Sequence, residues 1–143
     1  MARILIVEDD LFFADVLACT LGLDGHEVAV TNSASEGVRC GLATPPDIVV
    51  AAWWLKGDMH GGEVCRRIHA AWPSVKAIAI TGHPECAFEA GQYCECVESV
   101  IMKPFHKSEI LDAVRRVLVS EMDFASAHSP VPGPQDKAVH AVH

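Results

Sequence analysis

The sequence has no apolar run approaching the roughly 18 to 20 residues that span a bilayer, and its start, Met1-Ala2-Arg3-Ile4, lacks the apolar stretch and cleavage site of a signal peptide. A cytoplasmic protein with no membrane segment is expected. Basic residues are scarce too: 11 Lys and Arg stand against 19 Asp and Glu, a formal net charge of −8 with histidines neutral. Such a chain repels phosphate backbones, so direct nucleic-acid binding through a basic surface is not expected. Charged residues make up only 21%, whereas half of the 143 residues are hydrophobic, enough for one domain with its own core. The six cysteines (Cys19, Cys40, Cys65, Cys86, Cys94, Cys96) are scattered through periodic apolar segments, and reduced thiols rather than a disulfide framework are expected.

Short apolar β-rich runs alternate with helical patterns. Arg3 to Val7 reads as a buried strand ending in the acidic Glu8, Asp9 and Asp10. The helix that follows has Phe13, Leu17 and Leu21 on one face and Gly25 just past its end. Glu27 to Thr31 predicts a second strand, and Ser33-Ala34-Ser35-Glu36 a capping box opening a helix that Pro45 and Pro46 end. Asp47 to Ala52 is apolar through its middle, as a central parallel strand should be. A helix from about Gly61 to Ala71, a strand from Lys76 to Ile80, a helix begun by Pro84 and a strand from Val97 to Met102 come next. Ser108 is expected to cap a last helix, whose Ile110, Leu111, Val114, Val117 and Leu118 form an apolar stripe. Five βα units in 1–119 predict an α/β fold, a doubly wound parallel sheet of strand order 2-1-3-4-5. Residues 120–143, rich in Pro, Ala and His, are expected to be a disordered tail or linker.

In such a sheet, ligands bind at the carboxyl ends of the strands. There the sequence places Glu8 and Asp9 after the first strand, Ala52 at the end of the third, Thr81 after the fourth and Lys103 after the fifth. Adjacent hard carboxylates suit Mg²⁺, and a cation facing an ammonium and a hydroxyl would neutralise and orient a phosphoryl group. A nucleophile is missing. The plainer reading of Glu8, Asp9 and Asp10 is negative charge at a helix N-terminus, and of Lys103 a solvated loop lysine.

Ile4-Leu5-Ile6-Val7-Glu8-Asp9-Asp10, Pro46-Asp47-Ile48-Val49-Val50, Leu55-Lys56-Gly57 through Gly61, Ile80-Thr81-Gly82-His83 and Met102-Lys103-Pro104-Phe105 occur in the order and spacing of the receiver domain of two-component response regulators. Over about residues 2 to 119 the chain resembles that family. The resemblance implies a flavodoxin-like (βα)5 fold and a phosphorelay phosphoprotein that takes a phosphoryl group from a sensor histidine kinase or histidine phosphotransfer protein onto an aspartate, with Mg²⁺ required. It implies Asp9 as direct metal ligand, Glu8 through water, the backbone carbonyl of Trp54 in the metal shell, Thr81 as switch hydroxyl and Lys103 as the lysine that pairs with the phosphoryl group. The position of the phosphorylated aspartate is Ala52.

An alanine methyl cannot attack phosphorus, and its presence removes a carboxylate from the metal shell, so weakened Mg²⁺ binding and no acyl phosphate are expected. Asp47 lies roughly 17 Å away at the far end of the strand. Asp58, in the neighbouring loop, is within reach of the pocket but is not the expected surrogate acceptor. Unpaired carboxylates held together repel, so a pocket altered only at 52 reads as an engineered Asp-to-Ala change that locks the protein unphosphorylated. The alternative is a natural pseudo-receiver, a phosphorylation-independent adaptor. An Mg²⁺-dependent phosphatase or a flavin-binding protein of similar topology is the minor alternative, and no enzyme activity is expected. The resemblance also implies a switch Tyr or Phe three residues before the lysine, and here that position is Val100. Output is expected through a protein partner or a missing effector domain, and a homodimer through the last two strands and helices stays open. Trp53 and Trp54 should face opposite ways, with Trp54 either bordering the pocket or merely packing at the sheet rim. Cys94-Glu95-Cys96, with His83 and Cys86, reads as packing or free thiols ahead of a Zn²⁺ or redox site.

Overall fold

The computed structural model describes residues 1–57 and 59–128, with side chains as far as Val119 apart from residue 58. Five strands alternate with five helices: β1 Arg3–Val7, α1 Leu11–Leu23, β2 Glu27–Thr31, α2 Ala34–Ala43, β3 Ile48–Ala52, α3 Gly61–Ala71, β4 Lys76–Thr81, α4 Pro84–Tyr93, β5 Val97–Met102 and α5 Lys107–His128. The sheet is parallel, in the order β2-β1-β3-β4-β5. This is the flavodoxin-like arrangement expected from the sequence. No described helix is long and apolar enough to cross a membrane.

Strand alternation divides the core in two. Ile4, Ile6, Ile48, Val50, Ile78 and Ile80 pack with Leu17 and Leu21 of α1 and with Ile110, Val114 and Val117 of α5. Leu5, Val7, Val49, Ala51, Ala77 and Ala79 face the other way, toward Ala34 of α2, Val64, Cys65 and Ile68 of α3 and Ala90 of α4. This second face is built from smaller side chains, and its helices sit close. A Cβ at Gly41 of α2 would come within 2.5 Å of the Ile68 side chain, so a larger residue there would force that side chain to shift.

Local signals explain most boundaries. Ser33 Oγ accepts from the Glu36 amide at 3.2 Å, and Glu36 Oε1 accepts from Asn32 N at 2.9 Å, closing the expected box one residue further out. Pro84 opens α4. Three expectations are corrected. β3 starts at Ile48, one residue later than expected, and Asp47 just before it accepts the Arg3 amide with its Oδ2 at 2.8 Å. Ser108 lies inside α5 and does not cap it; the carboxylate of Glu109 accepts from His106 N at 3.2 Å. Finally, α5 runs past Val119 to His128, because Glu, Met and Ala in this stretch are good helix formers and extending an existing helix avoids the cost of nucleation. The rest of the expected tail, 129–143, lies outside the described residues.

Candidate functional site

The site residues come together because parallel pairing sets the carboxyl ends of β1, β3, β4 and β5 side by side. Val7 pairs with Ala51, Ala52 with Ile80, and Thr81 with Met102. Glu8, Ala52, Thr81 and Lys103 thereby share one edge.

Of the acidic trio, only Glu8 turns inward, where it is 1% exposed. Its Oε2 accepts from Asp10 N at 3.1 Å, and its Oε1 lies 2.9 Å from the ammonium of Lys103. Asp9 reaches across the edge and accepts the Lys56 amide at 2.9 Å, which ties the β3–α3 loop to the end of β1. Asp10 is the N-cap of α1, accepting from the amides of Phe12 and Phe13. So Asp10 does serve a helix N-terminus, as the plainer reading had it, while Glu8 is buried at the strand ends and Asp9 ties down the neighbouring loop.

Lys103 is held from several sides. Its amide donates to Thr81 O at 2.8 Å, and its Nζ stands 4.2 Å from the centroid of the Phe13 ring, a cation–π contact. Thr81 is buried, and its Oγ1 accepts the His83 amide at 3.1 Å, linking the hydroxyl to the start of α4. Ala52 is 3% exposed. The N-terminus of α3 comes so close behind it that a Cβ on Gly61 would run into the carbonyl of Ala52. Val100 is half-buried against the α3/α4 face.

The two tryptophans part as strand alternation requires. Trp53 is buried and Trp54 is 58% exposed, its ring 5.9 Å from that of His83. Trp53 forms an aromatic group with His60, at 4.9 Å, and Tyr93, at 5.5 Å. His60 also caps α3 by accepting from Gly62 N, and the Tyr93 hydroxyl donates to Glu63 at 3.0 Å. Hydrogen bonds from Arg66 and Arg67, then from Tyr93, hold the Glu63 carboxyl well below the usual carboxylate range. The loop after Ala52 is thus fastened to α3 and to the end of α4. Phe13, His60 and Tyr93 were not visible as site neighbours in the sequence, because no short spacing links them to the strand ends they touch. Asp58 lies outside the described residues.

A hard divalent cation asks for several free oxygens in near-octahedral array. Here Glu8 is engaged by Lys103 and Asp10, Asp9 by Lys56, and Ala52 offers a methyl. No three Asp, Glu, His or Cys side chains among the described residues are disposed to hold a metal. Glu8 and Asp9 are the two carboxylates left at the site, and with both engaged and alanine at 52 the set fits Mg²⁺ only poorly.

All six cysteines are free thiols, as expected. Cys94 and Cys96 nevertheless meet, Sγ to Sγ at 3.0 Å, at the opposite end of β5 from Lys103, whereas His83 stays exposed at the start of α4.

A family model described as the response regulator receiver domain matches residues 4–115. Among curated relatives, the cell cycle transcriptional regulator CtrA of Caulobacter vibrioides is 27% identical over 116 residues, covering 81% of this chain and 50% of CtrA. The DNA-binding response regulator MtrA of Mycobacterium tuberculosis is 32% identical over 117 residues, covering 79% of this chain and 49% of MtrA. The chain thus spans about half the length of these two relatives. Among solved structures, a CheY-like response regulator receiver domain protein from Methanospirillum hungatei JF-1 superposes with a TM-score of 0.76 at 26% identity, over 86% of this chain and 98% of that one. NtrX from Brucella abortus reaches 0.80 at 25% identity, over 88% of this chain and 29% of its own.

Proposed function

The chain belongs to the response regulator receiver domain family, and from that premise we propose that it is a receiver held in its unphosphorylated state by Ala52, acting through protein contacts alone. Response regulators take phosphoryl groups from histidine kinases and pass the signal to effectors, and receiver domains are generally non-enzymatic. They generally bind Mg²⁺ at the acidic phosphorylation site. The observation that carries the reading is the methyl of Ala52 at the sheet edge between Glu8 and Thr81, where the chemistry needs a nucleophilic oxygen. The partner is a sensor histidine kinase or phosphotransfer protein on the input side and a protein partner or effector domain on the output side. Leu11 and Phe12, 66% and 70% exposed at the start of α1, offer apolar contact beside the site. With Val100 in place of an aromatic switch residue, a change at Thr81 would leave the site through His83 and α4.

Two origins for Ala52 lead to the same chemistry. The presence of Glu8, Asp9, Thr81 and Lys103 together supports an aspartate replaced by alanine. The Glu8–Lys103 pair favours the second reading, a natural pseudo-receiver. It gives the buried carboxylate a counter-ion, so the repulsion expected of an idle acidic pair is relieved without any phosphoryl chemistry.

The test is Ala52→Asp, treated with Mg²⁺ and acetyl phosphate and followed by tryptophan fluorescence and intact mass. Gain of one phosphoryl group in the presence of Mg²⁺, with none on the Ala52 chain, is the expected result. A phosphoryl group on the Ala52 chain itself would overturn the proposal. A folded Ala52→Asp protein that takes up none would leave the pseudo-receiver reading in its place.

A further inference from the structure

We propose that Cys94 and Cys96 form a redox-active dithiol that a hydroperoxide oxidises to an intramolecular disulfide in the turn joining α4 to β5. The turn brings the side chains together. The amide of Val97 donates to Cys94 O at 3.0 Å, and Ala77 N donates to Cys96 O at 2.8 Å, so the three-residue segment is pinned between the end of α4 and the neighbouring strand. Across that turn the two sulfurs lie 3.0 Å apart, closer than two unbonded sulfur atoms ordinarily pack, and a small further approach completes a bond. Proximity replaces a bimolecular encounter with an intramolecular one. Packing alone does not need this arrangement, since one small apolar residue at either position would fill the space without a sulfur–sulfur contact.

The two thiols divide the work by exposure. Cys94 is 8% exposed and Cys96 2%, so peroxide meets Cys94 first. The Cys94 thiolate, its proton lost to solvent, attacks a peroxide oxygen. The O–O bond breaks, an alcohol or water leaves, and Cys94 becomes a sulfenic acid. Cys96 then attacks that sulfur, the S–S bond forms, the S–O bond breaks, and the hydroxide leaves as water with the Cys96 proton. Two thiols lose two electrons and one peroxide gains them. Burial pushes the Cys96 thiol up, so the resolving step accelerates at alkaline pH. A metal is the weaker occupant, because no three ligating groups among the described residues are disposed to hold one. The bond would fasten the end of α4 to the start of β5, next to Tyr93, which packs on Trp53.

The experiment uses the full chain carrying Cys19→Ser and Cys40→Ser, which removes the exposed and half-buried thiols. After hydrogen peroxide treatment and alkylation, peptide mapping should show two hydrogens lost from the peptide holding Cys94 and Cys96. Dithiothreitol should reverse the loss, and Cys94→Ala and Cys96→Ala should each abolish it. Cys94 and Cys96 both alkylated after peroxide, a bond to Cys65 instead, or a sulfinic acid as the main product would each overturn the proposal. The mapping of the parent is decisive even if a variant folds poorly.

Discussion

The two faces of the sheet are packed on different principles. Along β4 the sequence Ala77-Ile78-Ala79-Ile80 sends isoleucines to the α1/α5 side and alanines to the α2/α3/α4 side. The first face is held by bulk, with long branched side chains filling the space to two helices. The second is held by approach, with Gly41 against Ile68 and Gly61 against the carbonyl of Ala52. A face held by close backbone contact can place the N-terminus of α3 directly behind residue 52, whereas a face filled with isoleucines could not.

The comparison breaks if bulk and approach prove interchangeable. Ile80→Ala empties the aliphatic face and should cost about 2–5 kcal/mol in urea denaturation, the range for removing a buried branched side chain. Next in size, Gly61→Ala should cost about 1–3 kcal/mol through forced displacement of backbone. It should also shift tryptophan emission, because Trp53 follows Ala52 directly. A Gly61→Ala protein as stable as the parent would mean that α3 is free to slide and that the second face is packed like the first. The smallest effect sharpens the contrast by pH. Burial, and then the neighbouring Cys94, push the Cys65 thiol from the ordinary 9.0 up to about 12. Between these values the unfolded chain gives up a proton that the folded chain keeps. The contribution is therefore complete below about pH 9 and is lost as pH rises toward 12. Thermal melts from pH 8 upward should show stability falling, and Cys65→Ala should flatten that fall.

The fold was legible because its signals are local. Apolar runs of five or six residues, a Ser33–Glu36 box and Pro84 at a helix start each act within a few positions, and the strand-end rule then collects Glu8, Ala52, Thr81 and Lys103 without any side-chain geometry. What was not legible depends on groups far apart in the chain. The pairing of Glu8 with Lys103, the Phe13 ring beneath that ammonium and the hold of Lys56 N on Asp9 have no signature in spacing. They weaken the one argument that treated the acidic pair as uncompensated. Ser108 was misplaced because Ser and Glu stand next to each other at the helix start, and Glu109 took the role of reaching back to a free amide. The extension of α5 past Val119 has no apolar stripe in the sequence to announce it.

The ion pair of Lys103 also sets the terms on which anything negatively charged can enter. A lysine with an open ammonium captures an anion, but this one already holds Glu8 at 2.9 Å. Entry is therefore an exchange, in which the newcomer must outcompete a carboxylate that is tethered, buried and present at high local concentration. Discrimination is the expected result of that competition: a ligand bringing more charge should displace Glu8 more readily than a weak monovalent anion does.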